Sequence, residues 1–376
     1  MSNQEATANA RAWIALIRAG VAFSAIRTLV EATGSAAAAL DLPDARWQAV
    51  GASRDALTTL RRGGAVTAAD EVWLAHPHHC LLGWDDANYP ALLRRMNGAP
   101  PVLLVEGDAD WLWHPQVAVV GSRNATAGGV DNARDFARAL VATGLVVTSG
   151  LAEGIDAAAH TAALDAGAAT IAVVGTGTDV VYPRRHAALA ERIRGHGAIV
   201  SEFLPGTPAR REHFPRRNRI IAGLALGTLV IEAADRSGAL ITARLAGDAG
   251  REVFAVPGSI HNPLARGCHR LIRQGAALVE DAREVVTALT PVAASLADAL
   301  RARLHATDTS VSDDPAPATA LDPDHARVFD ALGHDPVPID VLTTRTGLTV
   351  AELSSILLLM ELQGRVTAEH GRYARK

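Results

Sequence analysis

Lysine is almost absent from this chain: of 36 basic residues only Lys376 is lysine, and the rest are arginine. Wherever phosphate is gripped, a planar guanidinium fork does it rather than an ammonium point charge. A P-loop is excluded as well, because no lysine follows the glycines of the strand-to-helix turn GSRNATAGG. Cysteine is scarce, and Cys80 and Cys268 lie far apart in sequence, which makes no disulfide framework and points to a reducing compartment. No apolar run reaches the roughly 18 residues needed to span a bilayer. No basic N-terminal segment leads into an apolar stretch either, so the expectation is a cytoplasmic protein without a membrane partner. A net charge of -4 lacks the broad positive footprint of a protein that coats nucleic acid indiscriminately, so a polyanion site must be a local patch.

What remains is a chain of 376 residues, 49% hydrophobic and 20% charged, long enough for two or three globular domains. Residues 1–75 show helical apolar spacing at Trp13, Leu16 and Ile17, glycine breaks at Gly20, Gly34 and Gly51, and no strand pattern. From Gln116 the pattern changes to short apolar runs: VAVVG, LVVTSG, TIAVVG, AIVSEF, TLVIEA, EVFAVPG and AALVED. Near-continuous apolar strands separated by helical stretches belong in a parallel sheet covered on both faces. Residues 82–290 are therefore expected to form an extended, doubly wound, Rossmann-like α/β domain with a mostly parallel sheet. Residues 291–321, rich in Ala, Thr, Ser, Asp and Pro, read as a linker. Residues 322–376 read as a winged helix, whose third helix, Thr349 to Leu362, carries Glu352 and Glu361 but no arginine. That favours protein contact over duplex reading. No internal repeats are present.

Several motifs bear on chemistry. FPRRNRIIAG opens a helix with Arg216, Arg217, Asn218 and Arg219 in one turn. Guanidinium forks beside helix N-terminal amides suit phosphate oxygens. Residues i and i+3 share a helix face, so Arg216 and Arg219 should pair while Arg217 turns elsewhere, toward Glu202, Glu232 or a second phosphate. GSRNATAGG follows the first of these runs, where doubly wound folds hold phosphates, and offers Gly121, Ser122 and Arg123. GTGTDV starts like a dinucleotide fingerprint, but Val180 stands where the third glycine belongs and the chain continues VYPRRH instead of entering a helix. Tyr182, Arg184 and Arg185 instead make a basic, aromatic-tipped loop suited to a strand-tracking groove. Ser237 and Gly238 open another helix just after Asp235 and Arg236. Asp156 and His160, one turn apart, read as a helix-dipole partner and a structural histidine rather than a catalytic pair. HPHHC, His76 to Cys80, matches no common tetrahedral metal spacing.

Taken together with TSGLAEGIDAAAH and REVFAVPGSIHNPLARGCHRLIRQGA, these motifs closely resemble the DNA processing protein A family, also called DprA or Smf. The resemblance is dense from about Leu82 to Val286. It implies a protein without catalytic residues, metal or cofactor that binds single-stranded DNA and hands it to the RecA recombinase during natural transformation. It also implies a helical, SAM-like N-terminal domain and homodimers formed through the Rossmann-like domain. The DNA-binding residues implied are Gly121, Ser122, Arg123, Tyr182, Arg184, Arg185, Arg216, Arg217, Asn218, Arg219, Ser237 and Gly238. Family members often carry a DNA-contacting lysine in or just beyond the tyrosine loop. This chain has none, which leaves Arg184 or Arg185 to replace it. The alternative is a nucleotide phosphoribohydrolase of the related lysine-decarboxylase-like fold with Glu232 as acid or base, but its hallmark PGGxGTxxE is missing.

Overall fold

The computed structural model describes residues 3–62, 66–293, 323–332, 337–349, 353, 356, 357, 360, 366–369 and 372–375. The chain divides into two compact units, Met1–Ala302 and Arg303–Lys376.

The first unit opens with six helices: α1 (Asn3–Arg18), α2 (Phe23–Thr33), α3 (Ala36–Leu40), α4 (Asp44–Ala49), α5 (Arg54–Arg61) and α6 (Ala68–Leu74). Ser35, Ser53 and Thr67 cap three of them through their hydroxyls, which satisfies amides that a helix start leaves open. The glycine breaks are helix ends: Gly34 takes φ 87° as the C-cap of α2. The apolar faces of these helices, Trp13, Leu16, Ile26 and Trp47 among them, share one core with Val102 and Leu104 of the sheet. Asp85 ties the layers together, accepting from Trp13 Nε1 (2.7 Å), Asn9 Nδ2 (3.0 Å) and the Ala36 amide (3.1 Å).

A nine-stranded sheet follows, in the order β1-β2-β6-β5-β4-β3-β7-β8-β9. Its strands are β1 (His79–Gly83), β2 (Val102–Gly107), β3 (Gln116–Gly121), β4 (Val146–Ser149), β5 (Thr170–Val173), β6 (Ala198–Ser201), β7 (Gly227–Ile231), β8 (Glu252–Ala255) and β9 (Ala277–Leu278). The seven apolar runs are the seven strands β3 to β9, all in parallel register. Strands β1 and β2, outside those runs, add an antiparallel edge. Crossovers run through α8 (Ala127–Val141), α9 (Ile155–Asp165), α10 (Ala187–His196), α11 (His213–Leu224), α12 (Gly238–Asp248) and α13 (Arg266–Arg273), with a one-turn α7 (Ala91–Arg94) between β1 and β2. One core lies on each face: Val105, Val120, Val173 and Ile220 on one, Val117, Val147, Ile155 and Leu229 on the other. The architecture is the doubly wound one expected.

The second unit holds α14 (Pro323–Ala331), α15 (Ile339–Thr346) and a three-stranded antiparallel sheet of β10 (Val337–Pro338), β12 (Arg372–Arg375) and β11 (Val366–Glu369), in that order. Val328, Leu342, Leu353, Leu357 and Met360 form its core. Glu352 and Glu361 of the expected third helix lie outside the described residues, as does the expected linker apart from 291–293, which are helical. Among the described residues no helix is long and apolar enough to cross a membrane.

Candidate nucleic-acid interface

Strand β3 is the pivot of the sheet, because the chain leaves it toward β4 on one side and reaches β7 on the other. The loops beyond these strands splay apart there and open a crevice outside their carboxyl ends, the usual ligand position in a doubly wound fold. A cleft of about 810 Å³ occupies that place. It is lined by Gly121 at the end of β3, Ser122 and Arg123 just after it, Tyr182 after β5, Arg217 and Asn218 on α11, and Ser237 and Gly238 at the start of α12. A side cavity of about 140 Å³ branches between Arg123, Gly150, Tyr182, Pro183, Phe214 and Arg217.

The loop after β3 is shaped by close backbone approach. A Cβ on Gly121 would collide with the Ile231 carbonyl, and one on Gly154 would strike the Ser122 carbonyl. Ser122 is buried, and its Oγ accepts from the Asn124 amide at 3.2 Å. That turn lifts Arg123 into the open, 5.4 Å from the Phe214 ring centroid. Tyr182, 47% exposed, lies against the same ring, tilted, with centroids 5.5 Å apart. Thr126 caps α8, and its amide and hydroxyl in turn donate to Glu232 at 2.8 and 2.6 Å. Asn262 Nδ2 also donates to that carboxylate, at 3.2 Å. Glu232 reaches this post in a left-handed conformation, φ 53°.

The PRRNR turn distributes its arginines unequally. Arg217 is 5% exposed and donates through Nη1 to the carbonyls of Gly150 (2.5 Å) and Val173, and through Nε to Asn218 Oδ1 (3.0 Å). Burial pushes its guanidinium down to about 10, opposed by the charge of Asp156, so it remains a cation at neutral pH. Burial likewise raises the Asp156 carboxyl, opposed by Arg217 and the Ala152 and Gly150 amides. Arg216 and Arg219 do share a face, and both meet Glu202 Oε2, Arg216 at 3.0 Å. Arg219 also donates to the Gly98 carbonyl. Glu202, Arg216 and Arg219 are absent from the cleft lining, as are Arg184 and Arg185. Arg185 is paired with Glu153, while Arg184 is exposed and makes no ion pair among the described residues. His160 is fully buried, its Nδ1 2.7 Å from Thr170 Oγ1, and burial pushes it down to about 3.

The cleft lining also includes Arg211, Phe214 and Arg236, none of which was named from sequence as a binding residue. Arg211 precedes α11 by two residues in a segment without apolar period, so nothing local marks it. The available signal was its position three residues before Phe214. Arg123, Arg211 and Arg236 are exposed and make no hydrogen bond or ion pair among the described residues. His79 Nδ1 lies 3.0 Å from the Trp73 carbonyl and its ring stacks on Trp73, and among the described residues no group of three or more His, Cys, Asp or Glu is arranged to hold a metal.

The family model for DNA recombination-mediator protein A matches residues 80–290, and that for the DprA winged helix domain matches 312–372. The chain is 42% identical to the Smf protein of Escherichia coli over 304 residues, 81% of this chain and 79% of that protein. It is 47% identical to the DNA processing protein DprA of Streptococcus pneumoniae over 201 residues, 54% of this chain and 71% of that one. The solved structure of S. pneumoniae DNA processing protein A superposes with a TM-score of 0.66 at 38% identity, covering 73% of this chain and 95% of that one. The Helicobacter pylori DNA processing protein A, solved for its single-stranded DNA binding mode, superposes at 0.52 and 26% identity over 57% of this chain and 97% of that one.

Proposed function

We propose, given that the chain belongs to the DNA processing protein A (DprA/Smf) family, that it binds single-stranded DNA in the switch-point cleft and delivers it to RecA as a recombination mediator in transformation. The observation that carries the reading is the set of three uncommitted guanidinium groups, Arg123, Arg211 and Arg236, around an aromatic pair, Tyr182 and Phe214. A flexible strand presents phosphates to such forks while its unstacked bases meet the rings, which a stacked duplex cannot do. The single-stranded DNA binding of the H. pylori relative supports this, and the mediator description of the matched family supports the hand-off to RecA. Action as a homodimer in the cytoplasm belongs to the same reading, as does a division of labour among residues 1–75, 82–290 and 322–376.

The cleft works by binding and not by catalysis in this reading. Glu232, the acid or base of the enzymatic alternative, is engaged by Thr126 and Asn262, which suits a brace between two loops better than a proton carrier. A titration of fluorescent oligo-dT against the same length of duplex and against free nucleotides tests the proposal. Single strands are expected to bind far more tightly than either, and equal affinity for duplex at physiological salt would overturn it.

A further inference from the structure

At the floor of the cleft Arg217 and Asp156, both buried and both part of its lining, hold one main-chain turn between them. Arg217, one turn beyond Phe214 on α11, grips the Gly150 carbonyl at 2.5 Å. Asp156, in the first turn of α9, accepts the Gly150 amide at 3.1 Å and the Ala152 amide at 3.3 Å. Gly150 is thus held from both ends, its carbonyl by the Arg217 guanidinium and its N–H by the Asp156 carboxyl group. The absence of a side chain there leaves room for the Arg217 guanidinium, which a Cβ would displace. The next residue, Leu151, is almost fully buried in the left-handed region at φ 58°. A non-glycine residue persists in that conformation only where its surroundings over-determine it. The same turn supplies Gly150, Ala152 and Glu153 as one wall of the side cavity, facing Tyr182 and Phe214.

We infer that Arg217 and Asp156 are positioning residues, a buried strut that fixes the 149–153 turn as a wall of the cleft, and that Arg217 contributes no phosphate contact. The inference deepens the single-stranded DNA reading and rests on it for its consequence, though not for its geometry. A buried guanidinium that spends its donors on two main-chain carbonyls and Asn218 Oδ1 has little left to offer an incoming anion. An arginine that gripped phosphate would behave differently on two counts. Its loss would flatten the dependence of log affinity on log salt by roughly 0.7. Removing the carboxylate that competes for it would tighten DNA binding.

The test uses full-length Arg217→Gln and Asp156→Asn, with hydrogen exchange of peptides covering 149–156 in the free protein and oligo-dT titrations at several salt concentrations. Faster exchange confined to that turn is expected in both variants, with about tenfold weaker DNA binding and an unchanged salt slope. A flattened slope in Arg217→Gln or tighter binding in Asp156→Asn would make Arg217 a phosphate ligand and overturn the inference. So would unaltered exchange in both folded variants, or a lowered melting temperature with binding intact. If Arg217→Gln does not fold, Asp156→Asn, which keeps an acceptor oxygen in place, carries both readouts. Should the unsubstituted chain fail to bind oligo-dT, the DNA reading falls, and the exchange data alone decide whether the strut exists.

Discussion

Arg123, Arg211 and Arg236 stand exposed around the cleft with no acceptor among the described residues, whereas Arg217 and Arg219 spend their donors on Gly150, Val173, Gly98 and Glu202. The side chain is the same, and Arg217 lines the same cleft as Arg123, Arg211 and Arg236. What separates them is which carbonyls and carboxylates the fold brings within reach. An arginine beside the carboxyl ends of strands, where main-chain oxygens are unpaired, becomes scaffold, and one on an exposed loop keeps its fork for a ligand. Density of positive charge in the sequence is therefore a poor guide to where a polyanion sits; uncommitted donors are the better one.

The most severe test of this division removes the free set. Replacing Arg123, Arg211 and Arg236 together with alanine should flatten the salt dependence of oligo-dT binding by about 2 units, from roughly 0.7 per phosphate on single strands. Each lost charge-assisted bond is worth about 1.5 to 3 kcal/mol. Affinity should therefore fall by three orders of magnitude or more, with the melting temperature unmoved. Retained affinity would transfer the grip to α11 and erase the comparison.

The complementary substitution attacks the scaffold. Glu202 is 3% exposed and anchors both Arg216 and Arg219, so Glu202→Ala strands a largely buried guanidinium. Removing one partner of a buried pair costs about 3 to 5 kcal/mol, and the exposure of Arg216 puts the expected loss near 3. Thermal unfolding would report it. The salt slope of DNA binding should not change. A steeper slope with tighter binding would mean that the carboxylate was restraining arginines that belong to the DNA face.

The seven parallel strands were legible because strands buried on both faces read as unbroken apolar runs. The antiparallel edge was not: VLLVEG is equally apolar, but nothing in its composition says that it pairs with β6 from the opposite direction. The site was legible in part for the same kind of reason. Gly121, Ser122 and Arg123 stand out in the sequence at the strand-to-helix turn, and the pairing of Arg216 with Arg219 follows from helical spacing. That their partner is Glu202, and that Arg217 ends on carbonyls 44 and 67 residues upstream, depends on tertiary placement that no local pattern records.

Phe214, at the start of the helix that carries Arg217 and Arg219, is in contact with both Arg123 and Tyr182. Phe214→Leu keeps the apolar volume of the helix start but removes the ring. If bases stack there, affinity should fall by about 1 to 3 kcal/mol with no change in salt slope, because no phosphate contact is lost. A flattened slope would show instead that the ring serves chiefly to hold Arg123 in place.

The smallest effect separates two neighbours and repeats the comparison at close range. Arg184 and Arg185 share one basic turn, and from sequence either is suited to stand in for the missing lysine. Arg185 is paired with Glu153, while Arg184 is exposed without an ion pair among the described residues. An exposed pair of this kind is worth at most about 1 kcal/mol, so Arg185 is held only loosely, yet any phosphate must first displace Glu153. Arg184 has no such competitor. Arg184→Ala should therefore flatten the salt slope by roughly 0.7, and Arg185→Ala should leave it nearly unchanged. Adding Glu153→Ala to the unsubstituted chain provides the converse check. It should raise the slope by a similar amount if freeing Arg185 is enough to make it a phosphate ligand, and leave it unmoved if that side chain points away from the strand. Equal losses from the two arginine variants would mean that proximity to the cleft, and not freedom from an internal partner, decides which arginines hold DNA.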